Sequence, residues 1–166
     1  MKNKVAVITG GSSGIGEALA YKFSQENFNI VITGTNKDRL NNVLSKIKKN
    51  GVSCEGVIHD ISSSNDVKKM VDISIRKFGR IDVLICNAGI SIRSLFEDLD
   101  LNTFEKLFRI NFLGTVYSVK HSLPHLIKTS GTIIGISSLN GFIATPTRTA
   151  YAVSYTHLTL PTSSRV

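Results

Sequence analysis

Short apolar runs alternate with amphipathic stretches along most of the chain, and this alternation restricts the fold more than any other feature. The runs Lys4–Thr9, Asn29–Thr33, Ser53–Ile58, Ile81–Cys86 and Thr132–Ser137 are strand-length and rich in Val and Ile. Between them, Gly14–Glu26, Asp38–Asn50, Ser64–Phe78 and Asn102–Ile127 place apolar residues at helical spacing. Leu40, Val43, Leu44 and Ile47 form one such stripe. Continuous apolar strands suit a parallel sheet covered on both faces. Asn50-Gly51 and Ser130-Gly131 punctuate the turns. The pattern predicts an α/β fold, a doubly wound parallel sheet whose ligands sit at the carboxyl ends of the strands.

Directly after the first strand comes Thr9-Gly10-Gly11-Ser12-Ser13-Gly14-Ile15-Gly16. Glycines there let the main chain turn sharply and approach a pyrophosphate. A helix starting near Gly14 aims unpaired N–H groups and its positive dipole end at that anion. A ligand-free tight turn is the bland alternative, and the strand before and helix after argue against it.

Composition narrows the class further. At 166 residues the chain is one domain by size, and its apolar share and modest charge suit a globular protein. No apolar run approaches a membrane span, and Val5–Ile8 is too short for a signal peptide, so a cytoplasmic protein is expected. Cys54 and Cys86 lie in strands without metal-ligand partners, as small buried hydrophobes do, and no metal site is expected. The net charge of +8 is spread over helix faces, and no aromatic residues are interleaved with the cations. A solvated surface is expected, not a nucleic-acid platform.

The spacing Thr-Gly-x-x-x-Gly-x-Gly resembles the loop of the short-chain dehydrogenase/reductase family, classical type. The likeness runs over residues 4–151 with its motifs in order. It implies an NAD(P)-binding Rossmann-type domain that moves hydride between a nicotinamide and an alcohol or carbonyl. Dinucleotide contacts are then expected from Gly10, Ser12, Ser13, Gly14, Ile15 and Gly16. An acidic residue at the end of the second strand would hold the adenosine ribose and repel a 2′-phosphate. That position is Gly34, followed by Thr35, Asn36 and Lys37. NADP(H) is the expected cofactor, with NAD(H) as the alternative, although the family's usual arginine at Thr35 and basic residue at Ser13 are absent. Asp60-Ile61 matches the family's adenine-contacting pair; a turn aspartate is the plainer reading. Asn87-Ala88-Gly89 matches the segment that lines the cofactor, with Cys86 in place of the family's first Asn.

Three further matches carry chemistry. Asn111 corresponds to the family's helix asparagine, which holds a water in the proton relay. Ser138 ends the fifth strand, and Tyr151 follows thirteen positions later, the family's usual separation. A serine hydroxyl can polarise the substrate oxygen, and a tyrosine can give or take its proton. A free phenol titrates near 10 and needs a nearby cation to work at neutrality. In the family that cation is a lysine four residues on; here Tyr155 stands there. The expected substrate-pocket walls are Ser91–Phe96 and Leu139–Pro146.

From Val153 the chain has no family counterpart. Val153–Thr162 resembles the translation of a transposase-type sequencing adapter, whose continuation also accounts for Ser163 to Val166. The expectation is therefore an incomplete domain over 1–152 and a non-native tail over 153–166. On this reading Tyr155 and His157 have no catalytic role, His59, His121 and His125 are ordinary strand-end or helix-surface residues, and the chain as it stands lacks normal turnover. The full-length parent would be a homodimer or homotetramer acting on a small alcohol or carbonyl substrate. A non-enzymatic NAD(P)-binding regulator is the alternative function, though it would not need Asn111, Ser138 and Tyr151 together.

Overall fold

In the computed structural model, which describes residues 3–143 and 145–158, five parallel strands form one sheet. In chain order these are β1 (Val5–Ile8), β2 (Asn29–Gly34), β3 (Cys54–Ile58), β4 (Val83–Cys86) and β5 (Thr132–Gly135). Their spatial order is β3-β2-β1-β4-β5. The chain therefore changes direction across the sheet between β3 and β4, leaving a switch point between β1 and β4. The helices are α1 (Gly14–Gln25), α2 (Lys37–Lys48), α3 (Ser64–Phe78), α4 (Leu101–Phe108), α5 (Gly114–Thr129) and α6 (Thr149–Thr156).

Side-chain alternation on the strands divides the core in two. Ala6, Ile8, Ile30 and Ile32 pack with Leu40, Val43 and Ile47 of α2 and with α1. Val5, Val7, Val31 and Leu84 pack on the other face with Val67, Met70 and Val71 of α3 and Leu126 of α5. Each such fully buried side chain contributes roughly 1.5–3 kcal/mol of transfer free energy. The expected helical stripe holds: Leu40, Val43 and Ile47 are buried, and Leu44 packs at the edge of the same cluster. Cys54 and Cys86 are free and buried. Burial alone pushes the Cys86 thiol up to about 12, so it serves as an apolar filler. Among the described residues, no helix is long and apolar enough to cross a membrane.

Sequence reading and structure part at one helix. The single stretch expected over Asn102–Ile127 is broken by a π-helical turn, Arg109–Leu113, between α4 and α5. Apolar spacing cannot reveal one added residue per turn. The interruption rotates Asn111 inward, where it is 1% exposed. Such turns cluster at functional sites.

Candidate active site

At the switch point the loops after β1 and β4 are tied together. Thr9 Oγ1 accepts from the main-chain N–H groups of Asn87 and Ala88 at 3.0 and 3.1 Å. The Asn87 amide donates back to the carbonyls of Thr9 and Gly10 at 3.0 and 3.1 Å. Asn87 thus stitches the two strand ends, while Cys86 stays in the core. Gly10 has φ +65°, and a Cβ there would lie 2.9 Å from Ala88 Cα. At Gly16, a Cβ would collide with the Gly10 carbonyl and the Asn87 amide. This close packing of loop, helix start and neighbouring strand end is what the glycine spacing serves.

A cleft of about 380 Å³ opens above this junction. Its walls include Gly10, Ser12, Ser13 and Ile15 from the first loop, and Thr35 and Asn36 after β2. Asp60 and Ile61 after β3, and Asn87, Ala88 and Gly89 after β4, complete them. Gly14 and Gly16 do not line it: Gly14 faces a separate groove with Tyr21 and Lys46, and Gly16 lies buried beneath the loop. Ser13 precedes α1 in extended conformation and makes no side-chain cap bond, leaving its hydroxyl and the helix's first N–H groups available to an anion. Asn36 spends its side-chain oxygen capping α2 through Arg39 N at 2.9 Å. One Asp60 carboxylate oxygen accepts from Ser62 N and Oγ at 2.9 and 2.8 Å, so the turn-aspartate reading also holds.

Two wall residues escaped the sequence reading. Arg39 borders the cleft beside Thr35 and Asn36, whereas Lys37 does not line it. It stands in the first turn of α2, and nothing in its sequence spacing marks it for the cleft. His59 also borders the cleft and is not the ordinary strand-end residue expected: it is only 8% exposed, and neither ring nitrogen has a well-formed hydrogen bond among the described residues. Burial pushes its imidazole below the usual value, against the weaker opposing pull of Asp66, Asp60 and the Val57 main chain. Nothing in sequence marks such a site. His121 donates to or accepts from Ser64 Oγ at 3.0 Å, bridging α5 and α3.

The segment after β4 continues from this cleft into a second one of about 710 Å³. Gly89 and Ile90 line the first, Ser91 and Arg93 the second. Ser138 and Tyr151 both border the second cleft. Ser138 Oγ accepts from Asn140 N at 3.2 Å and so fixes the turn after β5. Tyr151 is half-buried on α6, with the Arg148 guanidinium 5.6 Å from its ring centre. Of the expected pocket walls, Ser91, Arg93, Asn140, Thr145 and Pro146 are present, whereas Phe96 and Leu139 point to solvent and residue 144 lies outside the described residues.

Asn111 sits beneath the seam between the clefts. Its Oδ1 accepts from Ile90 N at 2.8 Å, and its Nδ2 donates to Ile90 O at 3.0 Å and Ser154 Oγ at 2.9 Å. At 1% exposure Asn111 is no helix-surface amide. Tyr155 is buried on the same face of α6 as Tyr151, ring centres 4.9 Å apart. Its hydroxyl reaches Gly89, since a Cβ on that glycine would lie 2.5 Å away. Burial first, then the neighbouring Tyr151, drives the Tyr155 phenol upward from its ordinary value. α6 runs through the boundary expected at 152/153, and the rest of the expected tail, 159–166, lies outside the described residues.

Fold and loop together define an NAD(P)-binding domain of Rossmann type with the architecture of dehydrogenases. The short chain dehydrogenase family matches residues 4–159, and the chain belongs to that family of oxidoreductases. It is 36% identical over 155 residues to an uncharacterized oxidoreductase of Staphylococcus epidermidis, covering 93% of this chain and 66% of that protein. It is 37% identical over 156 residues to 11-beta-hydroxysteroid dehydrogenase-like 4A of Arabidopsis thaliana, covering 93% of this chain and 52% of that protein. Among solved structures, NAD+-bound xylitol dehydrogenase superposes with a TM-score of 0.90 at 28% identity, over 95% of this chain and 62% of the other. An alcohol dehydrogenase from Thermococcus sibiricus, complexed with 5-hydroxy-NADP, gives 0.88 at 28% identity, over 92% and 65%. The chain thus spans about two thirds, or less, of these proteins.

Proposed function

We propose that this protein is the nucleotide-binding and proton-relay portion of an NADP(H)-preferring oxidoreductase acting on an alcohol or carbonyl. The observation that supports it best is the continuity of the segment 87–93, which passes from the glycine-loop cleft to the cleft shared by Ser138 and Tyr151. The first cleft suits a dinucleotide: the uncapped N–H groups of α1 and the Ser12 and Ser13 hydroxyls would hold its pyrophosphate. Its reduced nicotinamide supplies the hydride when bound. Ser138 then orients the substrate oxygen by hydrogen bonding, Tyr151 delivers the proton to it, and Asn111 holds the Ile90 main chain in place. Preference for the 2′-phosphate is favoured by the lack of a carboxylate at the end of β2, from Gly34 to Lys37, and by Arg39 on the cleft wall.

The tail over 153–166 is, on this reading, adapter-derived, and Tyr155 replaces the lysine that would lower the Tyr151 barrier at neutral pH. The parent protein then carries that lysine and the remaining third of the domain, assembles as a homodimer or homotetramer, and works in a reducing compartment such as the cytoplasm, where the two buried thiols stay free. Resequencing the locus with specific primers tests the tail; a native read through Val166 ends that part of the reading. Assaying the uninterrupted product for NADPH oxidation over a ketone panel tests the activity. Tyr151→Phe is expected to lower its kcat by about 10²–10⁴-fold. A Tyr151→Phe protein with undiminished turnover contradicts the assigned relay.

A further inference from the structure

The cleft beside Ser138 and Tyr151 has a one-sided charge. Arg93 and Arg148 border it, and no aspartate or glutamate is among the described residues that line it. The guanidinium of Arg148 is fastened by the Ser91 hydroxyl, by the Ile92 carbonyl at 3.4 Å, and by the face of the Tyr151 ring. These partners are neutral, so none offsets the charge. Arg93 is given no ion pair by the described residues.

The backbone braces this arrangement. Ser94 N donates to Thr147 O at 3.0 Å, joining the segment that carries Arg93 to the one that carries Arg148. Thr147 itself sits at φ +65°, a left-handed conformation that a β-branched residue rarely adopts. Strain of this kind, just before a guanidinium at a candidate site, is held only where the surroundings fix it. Two arginines thus border one cleft, and a guanidinium's donors suit a planar carboxylate.

We propose that the substrate carries a carboxylate held by Arg93 and Arg148, making it an oxo acid in reduction or the matching hydroxy acid in oxidation. This rests on the oxidoreductase reading above. In reduction, hydride from the reduced nicotinamide adds to the carbonyl carbon and the Tyr151 proton passes to its oxygen. The products are a hydroxy acid and the oxidised dinucleotide, and the phenol regains its proton from solvent. The carboxylate itself does not react; it sets which carbonyl is presented to Ser138.

The test needs no turnover. Saturation-transfer NMR on the 166-residue chain with NADP+ compares 3-oxobutanoate with 3-oxobutanamide, which differ in charge but hardly in shape. The acid is expected to bind at least about tenfold more tightly. Arg93→Gln, at an exposed position that does not threaten folding, and Arg148→Gln should each reduce that preference and leave NADP+ affinity unchanged. Equal binding of acid and amide, binding of neither with NADP+ bound, or a preference that survives both substitutions overturns the proposal. Absence of NADP+ binding would instead overturn the underlying dinucleotide reading.

Discussion

Arg39 and His59 both border the dinucleotide cleft, and each makes a distinct prediction because one is exposed and the other sealed. Arg39 stands in solvent at the start of α2, so its removal changes little in the fold. Arg39→Leu should weaken NADPH about tenfold and leave NADH unchanged, read by nucleotide fluorescence; equal losses for both contradict a 2′-phosphate role. His59 is held neutral by burial, so its folded value lies below the ordinary 6.5. As pH falls through 6.5 the unfolded chain takes up this proton and the folded one does not. Stability therefore drops from about pH 6.5 down to the lowered folded value, below which the loss is complete. Urea midpoints measured across that window should flatten in His59→Phe, and an unchanged slope contradicts the assignment. Neither residue was legible as a site, because the burial of one and the facing of the other arise only when β3, α2 and the loop after β1 meet. The glycine turn was legible because a sharp strand-to-helix turn demands that residue type at a fixed spacing; Asn87, Ser138 and Tyr151 were named through the family resemblance alone, and they border the two clefts.

Elements were readable where their periodicity was clean. The five strands and α1 to α3 begin and end within a few residues of their expected limits, since apolar runs, Gly51 and the αL glycine Gly79 mark them. The π-helical turn left no such mark. Its consequence is that one side chain, Asn111, supports the loop after β4 from below by pairing with both polar main-chain groups of Ile90. Asn111→Ala removes both bonds to the half-exposed Ile90 main chain, and the expected loss is about 1–2 kcal/mol, seen as a lower urea midpoint. The same substitution should loosen the seam where the two clefts meet. A variant as stable as the parent would show that the loop is held by other contacts.

Across the whole molecule, topology decides what the sequence patterns can do. Strand order β3-β2-β1-β4-β5 brings the loops after β1, β2, β3 and β4 to one edge, so that residues from Gly10 to Gly89 share a cleft. The sequence carried this through alternation alone, because parallel strands joined by helices admit few arrangements. It could not carry the second cleft, whose walls come mostly from irregular segments after β4 and β5. Calorimetric titration of the chain with NADPH and NADH tests the central claim most directly. Saturable binding at one site, tighter for NADPH and abolished by Gly16→Val, is the expected result. No heat of binding with either nucleotide would contradict the account at its base.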